Sequence, residues 1–317
     1  MKFMPAFSAS APGKIILFGE HAVVYGRPAI AVPVEQVQAR AVVIPDPLAP
    51  RGRVWIQAPD INLDCAVSEL PEDNALRQLI QLLQAHFQID HLPACILRVS
   101  SSIPVAAGLG SGAAISVACL RALSASLGAP LPVEHVSALA YEIEKIYHGT
   151  PSGIDNTVVA YARPVYFVHG QPIEFLSIRQ PFTLVIGDTG RRSPTSGPVG
   201  ALRKAWLENS QPYEALFDRA GEIARSARSD LQAGTLSHLG RLMDENHTLL
   251  AQMGVSSPEL DHLVAAARVA GASGAKLSGG GWGGNMIALV EPELAEQVSR
   301  ALLESGASHT LMTQVRA

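Results

Sequence analysis

The chain has 317 residues, 48% of them hydrophobic and 16% charged, with a formal net charge of −4. That length suits two modest domains, and that composition excludes a disordered chain. No block of like charges occurs, which argues against a nucleic-acid or anionic-membrane surface.

In chain order, strands are predicted at Ile15–Phe18, Ala29–Val34 and Ala39–Ile44, all rich in apolar residues, and at Arg53–Gln57. Asp73–Phe87 is an amphipathic helix, with Leu76, Leu79, Ile80, Leu83 and Phe87 at helical spacing. A strand at Cys95–Val99, helices at Ser111–Leu127 and Val133–Tyr147, and strands at Pro164–Val168 and Phe182–Gly187 follow. Helical patterns then fill Gly200–Ala227, Leu236–Met253 and Pro258–Val269. Strands at Ala275–Leu277 and Met286–Val290, a helix at Pro292–Leu303 and a strand at Thr310–Val315 complete the chain. From Phe182 onward this is the split βαβ order of a ferredoxin-like layer with inserted helices. The whole reads as α+β, with a boundary near Gln180.

Cys65, Cys95 and Cys119 are widely spaced and read as reduced thiols. No apolar run approaches the roughly 20 residues of a membrane helix, and no signal-peptide apolar region is seen. A cytoplasmic protein is expected.

Four segments carry chemistry. Ala11-Pro12-Gly13-Lys14 leads through a strand to Gly19-Glu20-His21, which sets a compact cation before an acid–histidine pair. A surface lysine and a polar turn would explain this segment alone. Pro104–Ala114 is rich in glycine and opens a helix near Ser111, a natural phosphate cradle of free N–H groups and positive helix dipole. It lacks the Walker lysine. Gly108-x-Gly110-x-x-Ala113 also matches a dinucleotide fingerprint, but Ser100–Ala107 separates it from the preceding strand, and no acid ends a strand about twenty residues on. In Lys276–Asn285, five of residues 279–284 are glycine, more than a turn requires, so something is expected to pack on bare backbone there. Glu144 ends a helix, and Asp155 follows in a Gly/Pro/Ser-rich loop, where an aspartate is as readily a turn former as a base.

Together these segments resemble the galactokinase–homoserine kinase–mevalonate kinase–phosphomevalonate kinase (GHMP) superfamily, over essentially the whole chain. Within it, K-I-I-L-F-G-E-H-A-V-V-Y-G at 14–26 and H-G-T-P-S-G-I-D-N at 148–156 are similar to the mevalonate kinase branch, as is V-I-G-D-T-G-R-R-S-P-T at 185–195. Met243–Gly254, with Asn246 and His247, also fits.

The resemblance implies a two-domain α+β fold: a ribosomal-protein-S5-like ATP-binding domain over 1–180, and a ferredoxin-like domain with extra helices over 181–317. It implies ATP and Mg²⁺ as cofactors, mevalonate as small-molecule partner, no nucleic acid and no membrane, and it leaves room for a homodimer. Asp155 would be the base or the anion nearest the attacking hydroxyl, with Lys14 beside it. Glu144 and Ser111 would hold Mg²⁺. Pro104, Gly108, Leu109, Gly110, Ser111, Gly112, Ala113 and Ala114 would cradle ATP. Glu20, His21, Thr195 and Gly280 would line the mevalonate site.

Two positions depart from the family pattern. Gly112 stands where a second serine is usual, and Trp282 interrupts the third glycine run. The pattern predicts that a serine at 112 is tolerated. The rival readings are another kinase of the superfamily, for which Arg191, Arg192 and Lys276 are candidate cations for a phosphorylated acceptor, and a non-catalytic ligand-sensing relative.

Overall fold

The computed structural model describes residues 6–104, 108–148, 151–192 and 196–316. They form two compact units, neither of which is a continuous stretch of chain. Unit 1 comprises Met1–Gly13, Glu35–Pro104 and Gly110–Ala162; unit 2 comprises Lys14–Val34, Val105–Leu109 and Arg163–Ala317.

The elements are β1 (Phe7–Phe18), β2 (Ala29–Pro45), β3 (Val54–Ala58), β4 (Leu63–Ala66), α1 (Ala75–Phe87), β5 (Cys95–Ser101), α2 (Ser111–Ser126), α3 (Val133–His148), α4 (Ile154–Tyr161), β6 (Val165–Phe167) and β7 (Glu174–Phe175). They continue with β8 (Phe182–Asp188), α5 (Ser196–Glu208), α6 (Ser210–Ala233), α7 (Leu239–Gln252), α8 (Pro258–Val269), β9 (Gly274–Ser278), β10 (Asn285–Val290), α9 (Ala295–Glu304) and β11 (His309–Val315).

In unit 1 the later part of β2 pairs antiparallel with β5, from Ala39 opposite Ser101 to Pro45 opposite Cys95. β3 runs parallel to β5, and β4 returns antiparallel on β3. Helix α1 starts where Asn74 Oδ1 accepts from Leu76 N–H at 2.9 Å, and it buries Leu79, Ile80 and Leu83. Helix α2 packs against α1, α3, α4 and β5, and its Ala, Val, Leu and Cys side chains are buried around most of its circumference. A helix apolar on nearly every side belongs in the centre of a core.

In unit 2 the early part of β2 pairs with β6, and β6 with β7. A second, antiparallel sheet has the order β11-β8-β10-β9. Numbered along the chain these are strands 4-1-3-2, the ferredoxin-like order, with α5 to α8 inserted before the second strand. β9 is an edge strand, and α7 lies along it. Asp244 Oδ1 accepts from Ala275 N–H (2.9 Å), and His247 Nδ1 accepts from Leu277 N–H (3.3 Å). Among the described residues, no helix is long and apolar enough to cross a membrane.

Three sequence expectations are corrected. The strands predicted at Ala29–Val34 and Ala39–Ile44 are one 17-residue strand that carries Pro33 within it. The helical pattern over Gly200–Ala227 is two helices, broken at Asn209, whose φ of −152° leaves the helical region. Asp155 is not in a loop: it stands in the first turn of α4, which follows left-handed Gly153 (φ 89°).

Candidate active site

In unit 2, three segments far apart in sequence converge. Lys14 N–H donates to the Leu109 carbonyl at 2.9 Å, which ties the buried part of β1 to the second glycine loop. The Ser278 hydroxyl donates to Ile16 O (2.9 Å) and accepts from Ile16 N–H (3.2 Å), so one side chain clips both backbone groups of a single residue. A Cβ on Gly279 would lie 3.7 Å from the α-carbon of Gly108, which sets the second and third glycine loops in contact.

Gly19 turns the chain toward Glu20. Its φ is 88°, and a Cβ there would fall 2.4 Å from Pro28 O, so only glycine fits. Glu20 is buried and makes an ion pair through Oε1 with Lys276 Nζ, which also donates to Leu277 O at 2.6 Å. Burial pushes the Glu20 carboxyl up; the nearby Lys276, then the residue's own backbone N–H and, least, Lys14 pull it back without cancelling the rise. Burial likewise pushes the Lys276 ammonium down against the pull of Glu20. Glu20 Oε2 is buried and has no hydrogen-bond partner among the described residues.

His21 adopts φ 61°, an uncommon conformation for a residue with a side chain. Its ring is buried, which lowers its pKa to about 4. It is therefore neutral at pH 7, and Nε2 carries the hydrogen that it donates to Gly280 O at 3.0 Å. The Glu20–His21 turn is thus fixed to β9 by one side chain and to the third glycine loop by the other.

The glycine run is explained largely by the protein's own backbone. A Cβ on Gly281 would sit 1.9 Å from Val255 O, and one on Gly283 would sit 2.7 Å from Arg191 O. Trp282 between them has φ 57°. Its backbone N–H donates to Val255 O (2.9 Å) and its indole N–H to Gly254 O (2.8 Å). The ring packs on Gly197 in the first turn of α5 and is 41% exposed. Thr195, expected to line the acceptor site, lies outside the described residues.

In unit 1, α2 follows left-handed Gly110 (φ 73°), a cap residue that has no side chain to offer its first N–H groups. Ser111 is half-buried in its first turn, while Ala113 and Ala114 are buried. Glu144 on α3 is buried, and a Cβ on Gly112 would come 3.1 Å from its Oε1. Asp155 is half-buried at the start of α4, and its neighbour Asn156 anchors that helix to α3 through the Ser137 carbonyl (3.1 Å) and hydroxyl (3.0 Å). Pro104 ends its segment half-buried. Lys14 belongs to unit 2 and Asp155 to unit 1. Sequence reasoning did not single out Ser278, and it treated Lys276 only as a candidate anion-binding cation.

Residues 74–163 match the family model described as GHMP kinases N terminal domain, and residues 227–308 match GHMP kinases C terminal. The mevalonate kinase of Pyrococcus horikoshii is 36% identical, over 94% of this chain and 92% of that protein. A crystal structure of L. major mevalonate kinase in complex with R-mevalonate superposes with a TM-score of 0.82 at 28% identity, covering 98% of this chain and 95% of that one. The Streptococcus pneumoniae phosphomevalonate kinase reaches the same TM-score at 16% identity, covering 98% and 100%. That last likeness shows the fold alone.

Fold and matches define a GHMP kinase, an ATP-dependent phosphotransferase that acts on a hydroxyl group of a small molecule. Within that class, the chain belongs to the mevalonate kinase family.

Proposed function

We propose that this chain transfers the γ-phosphoryl group of ATP to the 5-hydroxyl of mevalonate, giving 5-phosphomevalonate for isoprenoid precursors. The observation that carries the reading is full-length similarity to archaeal mevalonate kinases, with the Glu20–His21 turn fixed to the third glycine loop. Two of the three cations that would suit a phosphorylated acceptor are engaged: Lys276 by Glu20, and Arg191 by Glu259 at 2.7 Å. This supports an unphosphorylated alcohol over phosphomevalonate.

Phosphoryl transfer asks for alignment and charge neutralisation more than for covalent chemistry. The N–H groups at the start of α2, which its glycine cap leaves without a capping side chain, suit ATP phosphate oxygens together with Ser111. Pro104 and the segment Gly108 to Ala114 complete that cradle. Asp155 accepts the hydroxyl proton or orients the hydroxyl by its charge. Lys14 lowers the pKa of the attacking hydroxyl and counters the charge that builds up on transfer. Glu20, His21, Gly280 and Thr195 bind the acceptor.

The residues also fit Mg²⁺. Among the described residues, no three His, Cys, Asp or Glu side chains gather as an all-protein cage. A buried carboxylate, Glu144, instead stands over the bare α-carbon of Gly112 at the phosphate-facing turn. That suits a hard cation that keeps several waters and shares phosphate oxygens. Glu144 and Ser111 would hold it, and the ion would neutralise phosphate charge.

The proposed division is 1–180 for the ATP-binding domain and 181–317 for the second, supported by one family-model match on either side. A cytoplasmic location is supported by the three free cysteines. The test is ADP release coupled to a panel of alcohols: mevalonate, phosphomevalonate, homoserine and galactose. Mevalonate-dependent turnover well above the others is the expected result; turnover with another alcohol alone replaces the reading.

A further inference from the structure

Lys276 is the middle residue of β9, a five-residue strand that is buried throughout. Its neighbours Ala275 and Leu277 are fully buried and apolar. Placing a lysine at such a position sets a charge in the interior, where an apolar side chain of similar volume would often leave a protein as stable or more so. Its partner, Glu20, is 256 positions away and equally buried. The ammonium takes one carboxylate oxygen, Oε1, and the Leu277 carbonyl. The other oxygen, Oε2, has no partner among the described residues, which is costly for a buried acceptor. Such an atom has either a purely structural cost or a ligand that completes it.

We propose that Lys276 is a positioning residue for the acceptor alcohol: it holds Glu20 by Oε1, so that Oε2 accepts a hydrogen from a hydroxyl group of the acceptor. This rests on the reading that Glu20 lines the acceptor site. Three details of geometry support it. The next residue, His21, is fixed independently through Gly280, so the turn has two anchors and little freedom to swing. Ser278, two residues from Lys276, clips Ile16, four residues before Glu20, so β9 and the strand that carries Glu20 are fixed in register. Lys14 places further positive charge near the same carboxylate, against the upward push that burial gives its pKa. An open oxygen on a carboxyl held in this way suits an acceptor that offers O–H at this point better than one that offers an anion.

The experiment is a double-mutant cycle on the full-length enzyme: wild type, Glu20→Gln, Lys276→Met and Glu20→Gln/Lys276→Met. KM for the acceptor, KM for ATP and kcat are measured for each, with the alcohol that the wild type uses in the substrate panel. If that alcohol is not mevalonate, the functional reading fails, while the cycle still judges Lys276.

The expected result for Lys276→Met is an acceptor KM raised by about tenfold or more, with ATP KM within about twofold of wild type. In the Glu20→Gln background, the same substitution should then change acceptor KM by less than about twofold. An unchanged acceptor KM in Lys276→Met overturns the proposal. So does an equal rise in both KM values, which marks general disturbance. Where Lys276→Met fails to fold, the double variant, which removes both charges, is compared with Glu20→Gln. Equal acceptor KM values support the positioning role. A further rise, or a double variant that also fails to fold, overturns it.

Discussion

Gly112 and Glu144 are in steric register: a Cβ on the glycine would stand 3.1 Å from the carboxylate Oε1. The missing hydroxyl at 112 is therefore also room for a buried acid. A serine there asks the Glu144 carboxylate to give way by a few tenths of an ångström, which sets the steric reading against the expectation from the pattern that serine is tolerated. Gly112→Ala and Gly112→Ser should displace Glu144 and raise the Mg²⁺ concentration for half-maximal activity, by about tenfold. Glu144→Gln should raise it at least as much and also lower kcat. Activity against Mg²⁺ at fixed ATP is the measurement. Variants at 112 with a wild-type Mg²⁺ curve would separate the glycine from the metal.

Asp155→Asn should lower kcat by about 10²- to 10⁴-fold, the usual range for loss of a general base, with ATP KM little changed. Because Asp155 lies in the first turn of α4, the same change removes a favourable interaction with the helix dipole, worth about 0.3–1 kcal/mol. A melting curve shows that part separately. Near-normal kcat in a folded Asn variant would leave Asp155 only the role of a helix-start residue.

His21 and His247 both have pKa values lowered to about 4, chiefly by burial. In the unfolded chain they take up protons near pH 6.5, while the folded protein resists protonation until about pH 4. The unfolded state thus binds more protons in that window. Stability is full above about pH 6.5 and declines as pH falls toward 4, by up to about 1.4 kcal/mol per pH unit for each histidine. Urea unfolding from pH 7 to 4.5 tests this: replacing either histidine with Gln should reduce the slope. An unaltered slope in both variants would assign the acid sensitivity elsewhere.

Trp282 pairs a backbone in the left-handed region with an indole that is hydrogen-bonded yet 41% exposed. With Trp55 and Trp206 replaced by Phe, its emission should shift or quench on saturation with ATP or mevalonate. A spectrum indifferent to both ligands would leave it a packing role against Gly197 alone.

Local patterns carried much of this protein. Helix α1 was legible because its apolar residues repeat at helical spacing, and the ferredoxin-like order because turn residues separate its elements. Helix α4 was not, because Pro151, Ser152 and Gly153 read as a loop that runs on through Asp155. In fact Gly153 supplies the left-handed start, and Thr157 bonds back to its carbonyl at 2.6 Å. The glycines at 281 and 283 were visible as excess, but their reason, the carbonyls of Val255 and Arg191, lies in other parts of the chain. The partnership of Lys276 with Glu20 had no local trace except a lysine among apolar residues.

The two bonds from α7 to β9 bear on how the molecule behaves in company. An edge strand with free N–H groups is a template on which another chain can add a strand. Here the outward donors of Ala275 and Leu277 are already occupied by Asp244 and His247. The helix thus acts as a guard against self-association along that edge. Half of the guard is an imidazole nitrogen that can accept only while unprotonated, so acid conditions that protonate His247 would free a donor of β9.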